Sequence, residues 1–306
     1  HPKAKAGVMV GYDARFLSRE FAELTARVLA SEGLKVYMAN SIVSTPATSL
    51  AIVKKKLAGG VMITASHNPA RYNGFKIKGH YGGAALPSAI EKIQTVTNSE
   101  ANTKRTTKDF DAKRLASFAE FVKQGRITEF DAKTLYIKEL AKLVSLKAIK
   151  ASRLKVAYDP MYGAGFGNLE HLLPDAAILH NVWNPGFGNT NPEPLAQNTT
   201  ELSRFIVEQG YDIGLVTDGD ADRIGAIDEH GAFFSSQMIL CLLLQYLVEV
   251  RKKRGRVVVS QSVTSMVDKM CAAYGLELVR TPVGFKYITD HTVSYTHLTL
   301  PTIYSV

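Results

Sequence analysis

At 306 residues the chain has room for two or three cored domains, and 46% hydrophobic with 21% charged residues excludes a disordered polymer. The net charge of +9 is spread along the chain, which disfavours nucleic-acid binding and suits anionic small molecules. Two cysteines, Cys241 and Cys271, make no disulfide framework. The longest apolar stretch, residues 238–250, is interrupted by Gln245 and too short to span a bilayer. No signal-peptide pattern opens the chain, so a cytoplasmic protein without a membrane partner is expected, and the opening His1 leads us to expect that residues precede it.

In chain order, Val8, Met9 and Val10 form an apolar run that predicts a strand, with Gly11, Tyr12 and Asp13 turning after it. Phe21, Leu24, Val28 and Leu29 have helical spacing over residues 18–31, and Gly33 stops that helix. A strand over 34–38 follows, then a helix opened by Thr45 and Pro46 that runs to Leu57. Val61 to Ile63 reads as a buried strand that ends at Ser66. Pro69 lacks an N–H and biases Asn68 away from helix, so a loop presents the serine hydroxyl. The β-α-β-α-β order predicts an α/β fold, a mostly parallel sheet covered by helices. Tyr72, Asn73 and Gly74 predict a turn, residues 75–77 a short strand, and the Thr-, Lys- and Asn-rich stretch 97–113 an exposed excursion.

A helix over 135–149 leads into a second unit with strand 154–158. Gly163, Gly165 and Gly167 then invite a dinucleotide-loop reading, but the third glycine is misplaced and no acidic residue stands about 20 positions on. Residues 184–198 form a Pro-, Gly- and Asn-rich loop, a helix covers 200–209, and strand 213–217 ends in Asp218, Asp220 and Asp222. A third unit has helices over 236–250 and 263–274 with strand 256–260 between them. Gly275, Leu276, a strand and Thr281-Pro282 echo Gly33, Leu34, a strand and Thr45-Pro46, so the two units look built to one plan. Residues 294–306 carry no formal charge, fit no element begun before them, and read as a non-native tail that resembles translated sequencing adapter.

Two stretches carry chemistry. At an effective dielectric of about 20, carboxylates 5 Å apart repel by roughly 3 kcal/mol. Asp218, Asp220 and Asp222 therefore call for a cation, and oxygen-only ligation with positions left for phosphate or water suits Mg²⁺. A calcium-loop reading places Glu229 at the last ligand position, but Arg223 stands where that loop needs glycine and a strand leads in. Ser66 is the candidate nucleophile, and His67 either orients its loop or satisfies backbone groups.

Thr64-Ala65-Ser66-His67-Asn68-Pro69 with Tyr72-Asn73-Gly74-Phe75-Lys76, Asp218-Gly219-Asp220-Ala221-Asp222-Arg223, and Thr281-Pro282-Val283-Gly284-Phe285-Lys286 resemble the motifs of the α-D-phosphohexomutases, phosphomannomutases and phosphoglucomutases, in order and spacing to about residue 290. The resemblance implies tandem α/β/α domains: 1–134 bearing a phosphoserine, 135–232 binding metal, and 233–293 as part of a sugar-binding domain. It implies that Ser66 stores the phosphoryl group, that Asp218, Asp220 and Asp222 hold one Mg²⁺ together with an oxygen of that phosphoserine, and that hexose 1,6-bisphosphate is intermediate and activator. Lys76 matches a general acid or base, Arg15 and Arg223 match arginines near the transferred phosphate, and Lys286 matches a substrate contact that leans toward glucose or mannose phosphates. Arg15 has a plain alternative, an ion pair with Asp13, and Lys76 another, an exposed strand position.

The family's opening Thr-Ser-Gly motif, its Gly-Glu-x-Ser-Gly sugar loop and its fourth domain have no counterpart here, so a truncated chain with little or no mutase activity of its own is expected. A second reading is a haloacid-dehalogenase-like phosphatase, with Asp218 as nucleophile and Asp220 as acid, which leaves Ser66 without a purpose.

Overall fold

A computed structural model of the chain describes residues 6–99, 115–284, 287, 288 and 291. Its contacts gather into two units, His1–Thr64 with Asn73–Tyr136, and Ala65–Tyr72 with Ile137–Val306. The segment that carries Ser66 thus groups with the second unit, although its neighbours in sequence belong to the first.

In the first unit the expected apolar runs become strands β1 (Val8–Tyr12), β2 (Val36–Ala39), β3 (Gly59–Ile63) and β4 (Phe75–Gly79). A fifth strand, β5 (Ile127–Phe130), completes a sheet of order β4-β3-β1-β2-β5. β1 pairs in parallel with β2 and β3, and β2 with β5, while β4 runs antiparallel to β3. Helix α1 (Ser18–Ser31) has the expected bounds, but it buries Ser18, Ala22, Ala26 and Ala30 and leaves Phe21 43% exposed. Packing distance explains the difference: an alanine stripe lets the helix lie close to a sheet whose surface is already filled by Met9, Val36 and Met38. Helix α2 (Thr45–Lys54) is capped by the Ser44 hydroxyl, which accepts the Ala47 N–H at 3.2 Å, and it ends short of the expected Leu57. Helix α3 (Pro87–Thr97) occupies the start of the predicted excursion, and residues 100–113 lie outside the described residues. A short helix α4 (Phe118–Lys123), closed by a capping box between Ser117 and Glu120, was not expected.

The helix predicted over 135–149 is two: α5 (Ala132–Leu143) and α6 (Leu146–Ser152). Ser145 divides them by accepting the Ala148 N–H on its hydroxyl at 3.2 Å, a local bond that competes with helix continuation. The second unit then builds a sheet from β6 (Val156–Asp159), β7 (Ala177–Ile178), β8 (Ile213–Thr217), β9 (Ile224–Asp228) and β10 (Phe233–Phe234), in the order β10-β9-β8-β6-β7. β6 is parallel to β7 and β8, whereas β8, β9 and β10 form an antiparallel meander. Helix α7 (Thr200–Gln209) has its expected bounds and buries Leu202 and Ile206 against Ala157, Val216 and Ile227.

The expected helix over 236–250 keeps α geometry only through Gln245, as α8 (Ser236–Gln245), and its last turn, Tyr246–Val250, widens to π-helix. Strands β11 (Val257–Ser260) and β12 (Leu278–Thr281) pair in parallel around helix α9 (Met266–Tyr274). This β-α-β crossover repeats β1-α1-β2, and Gly33 and Gly275 both follow the helix with positive φ. The echo ends there, since Thr45 opens a helix and Thr281 closes a strand. The tail 294–306 lies outside the described residues. Among the described residues no helix is long and apolar enough to cross a membrane.

Candidate active site

The register of β8 against β9 closes Thr217 on Ile224, so residues 218–223 form the loop of a β-hairpin. Asp218 and Asp220 are fully buried and Asp222 partly, and one carboxylate oxygen from each lies within 4.8 Å of the others. The loop, turned at Ala221 with φ 54°, brings the three carboxylates together. Asp218 bonds both within this loop and to Ser66. Its Oδ1 accepts the N–H groups of Asp222 at 2.9 Å and Arg223 at 3.1 Å, and its Oδ2 accepts the Ser66 hydroxyl at 3.1 Å. Burial first, then the neighbouring charges of Asp220 and Asp222, holds its carboxyl well above the usual carboxylate range, against the pull of Arg223. Three converging carboxylates at such a site fit a hard divalent cation, whose charge would relieve that repulsion. Glu229 is exposed and stands outside this group, and strands flank the loop on both sides, so the calcium-loop reading fails.

Ser66 sits three residues past the end of β3, 7% exposed, at φ 55°. A left-handed serine costs on the order of 1–2 kcal/mol and persists only where its surroundings hold it. Here the Asn68 N–H returns to the Ala65 carbonyl at 3.0 Å, and the Tyr72 N–H to that of Pro69 at 3.0 Å. A side chain on Gly219 would place its Cβ 2.4 Å from the Ser66 carbonyl oxygen, so only glycine lets the aspartate loop approach this closely. Gly163 serves the same loop: a Cβ there would lie 2.8 Å from the Gly219 carbonyl oxygen, and the next residue, Ala164, donates its N–H to that oxygen at 2.9 Å. The glycine run at 163–167 therefore props up the aspartates and leads into turns and a short 3₁₀ segment (Leu169–His171), which disposes of the dinucleotide reading.

His67 and Arg223 meet directly, with Nδ1 of the ring 2.5 Å from Nη2 of the guanidinium. Glu193, which the sequence did not single out, joins them: its Oε1 lies 3.3 Å from Nη1 of Arg223 and 3.9 Å from Nε2 of His67. Its signal was a carboxylate held between Pro192 and Pro194 inside the irregular loop 184–198.

Arg15 and Lys76 belong to the first unit. Arg15 is 2% exposed, and its Nε lies 3.2 Å from Oδ2 of Asp13. Asp13 also accepts the Ser18 hydroxyl at 2.7 Å, and its carboxyl is pushed up to about 6 by burial, partly offset by Thr64 and Arg15. Lys76 is half-buried on the edge strand β4, opposite Met62. Lys286 lies outside the described residues.

Comparison with known families places this geometry. Models of phosphoglucomutase/phosphomannomutase α/β/α domains I, II and III match residues 1–104, 134–231 and 235–296 in turn. The chain belongs to the phosphoglucomutase/phosphomannomutase family. Three of the family's α/β/α domains therefore follow one another along it. A relative from Methanothermobacter thermautotrophicus, named a probable phosphoglucosamine mutase, is 31% identical over 92% of this chain and 58% of its own length. A phosphoglucomutase of Staphylococcus saprophyticus is 28% identical over 95% of this chain and 54% of its own. The crystal structure of a Thermus thermophilus protein that carries a provisional phosphomannomutase name superposes with a TM-score of 0.82 at 32% identity, covering 94% of this chain and 63% of that one. The family member described here thus spans a little over half the length of the curated relatives it matches. Family membership disfavours the phosphatase reading in which Asp218 is the nucleophile.

Proposed function

We propose that this chain carries the phosphoryl-storing half of a phosphohexomutase that interconverts hexose 1-phosphate and hexose 6-phosphate. The observation that carries the proposal is the Ser66 hydroxyl, buried and 3.1 Å from Asp218, beside a triad of carboxylates that could hold a metal. Mg²⁺ would be held by Asp218, Asp220, Asp222 and the Ser66 oxygen, and when bound it supplies the positive charge that a crowded phosphoryl group needs.

The chain's own residues supply the rest. Ser66 carries the phosphoryl group, and transfer breaks its Oγ–P bond while the free hydroxyl of a hexose monophosphate forms a new O–P bond. The hydroxyl's proton leaves to a general base, the part assigned to Lys76 by family position. The resulting hexose 1,6-bisphosphate turns over and returns its other phosphate to Ser66. Arg223, fixed by His67 and Glu193, brings guanidinium donors to the Ser66 loop, as a loose phosphoryl transition state requires positioning and charge neutralisation more than covalent help. Arg15 would add a second guanidinium, and Lys286 a sugar contact. The relatives carry both phosphoglucomutase and phosphoglucosamine mutase names, which sets amino sugars beside glucose and mannose as substrates.

The test is an isomerisation assay of the full-length protein with glucose, mannose and glucosamine 1-phosphates in parallel, with Mg²⁺ and trace bisphosphate. Turnover of at least one sugar is expected, together with its loss in Ser66→Ala. A Ser66→Ala enzyme within about tenfold of wild type would end the proposal, because a stored phosphoryl group should be worth far more in rate.

A further inference from the structure

Arg223 touches three partners, each through a different nitrogen: Glu193 at Nη1 (3.3 Å), His67 at Nη2 (2.5 Å) and Asp218 at Nε (3.8 Å). A guanidinium is a planar fork, so hydrogen bonds to Glu193 at Nη1 and His67 at Nη2 restrict the rotation of the whole group. Glu193 sits on a hydrogen-bonded loop backbone. Its N–H donates to the Asn191 carbonyl at 2.7 Å, and its own carbonyl accepts the Leu195 N–H at 2.8 Å and the Asn198 side-chain amide at 3.0 Å. Pro192 and Pro194 restrict φ on either side, and the Pro192 carbonyl takes the N–H of Gly219, in the aspartate loop itself, at 3.0 Å.

We infer that Glu193 is a positioning residue: from a braced loop it holds the Arg223 guanidinium, and through it the His67 ring, in register with Ser66. It touches neither Ser66 nor the aspartate carboxylates in the contacts described; its effect passes mainly through Arg223, at 3.3 Å, and secondarily through His67, at 3.9 Å. The charge it supplies is also specific. Arg223 has Glu193 and the buried Asp218 as its two carboxylate partners, and removing Glu193 leaves Asp218, at 3.8 Å, as the remaining one. The side chains are only partly exposed, 13% for Arg223 and 26% for Glu193, so the pair is less screened than a surface ion pair.

The inference rests on the proposed phosphoserine chemistry for one arm of its test and not for the other. In the first arm the full chain is compared as wild type, Glu193→Gln and Glu193→Ala for the rate at which Ser66 takes phosphate from glucose 1,6-bisphosphate with Mg²⁺. Glu193→Ala should slow it on the order of 10- to 100-fold, since a misplacement of about 1 Å can cost that much. Glu193→Gln, which keeps the shape and an acceptor, should lose less, and thermal midpoints should stay close to wild type. In an Arg223→Met background the further change Glu193→Ala should have a much smaller effect, whereas a merely structural role would act equally in both backgrounds. Equal rates in wild type and Glu193→Ala, or an undiminished loss in the Arg223→Met background, would overturn the inference.

The second arm needs no phosphate: the Arg223 Nε–H resonance, assigned by its absence in Arg223→Met, should be sharp in wild type and broadened or shifted in Glu193→Ala. An unchanged resonance would overturn the positioning role even if wild-type Ser66 took no phosphate at all, an outcome that would sink the proposed function separately.

Discussion

At the residue scale, the glycine between the first two aspartates has a steric reason. Gly219→Ala should force the Ser66 carbonyl away from a Cβ that would otherwise sit 2.4 Å from it. Overpacking against backbone typically costs about 1–3 kcal/mol, so a lowered denaturation midpoint is expected. The same displacement should slow phosphate uptake by Ser66. Wild-type stability in Gly219→Ala would contradict the close approach of the two loops. That glycine was legible only as part of a motif, because sequence displays chemical type and hides contact across long separations. Alternating aspartates after an apolar run announce a cation site because their mutual repulsion is unavoidable wherever they are buried. Ser66 was visible because Pro69 guarantees a loop behind it. Glu193 was not, since its partners His67 and Arg223 lie far away in the chain and only folding brings them to it.

At the scale of elements, strands with strong apolar runs and helices with clear punctuation were legible: Gly33, Gly210 and Gly275 each close a helix with positive φ. The unexpected pieces are short or depend on pairing. β5 has only Ile127 buried, β9 exists because β8 folds back on it, and α5 ends where Ser145 finds a backbone partner.

His180 shows a tertiary link of the same kind, made between elements. Just after β7, its Nδ1 reaches both carboxylate oxygens of Asp159, the last residue of β6, at 3.0 Å. Its Nε2 lies 3.3 Å from Glu201 on α7, and the Tyr162 ring packs beside it at 4.4 Å. The hydrogen bond to Asp159 foremost, then the charges of Asp159 and Glu201, raise the imidazole above its ordinary value against the opposing effect of burial.

The folded chain therefore keeps a proton that the unfolded chain releases. The stability this contributes is complete below about pH 6.5 and is lost as pH climbs through the raised folded value. Urea midpoints measured from pH 6 to 9 should fall across this window in wild type and fall less in His180→Gln. Parallel slopes for the two proteins would refute the linkage.

At the scale of the whole molecule, the α/β class and the tandem order followed from the succession of periodic segments and from motifs resembling the phosphohexomutases, and three matched domain models bear this out. The sequence pattern could not reveal that residues 65–72, embedded between two strands of one sheet, make their contacts with the unit that carries the aspartates. That regrouping places a serine hydroxyl on a buried aspartate 152 positions further along the chain. The central proposal rests on it: that Ser66, next to carboxylates that could hold a metal, stores the phosphate.

The most direct measurement is site-mapped mass spectrometry of the chain after exposure to glucose 1,6-bisphosphate with and without Mg²⁺, each sample digested both with and without a prior acid treatment. The account predicts one acid-stable phosphate on Ser66, gained only with Mg²⁺ and absent from Ser66→Ala. An acid-labile phosphate on Asp218, or an unmodified Ser66 after prolonged exposure, would contradict it.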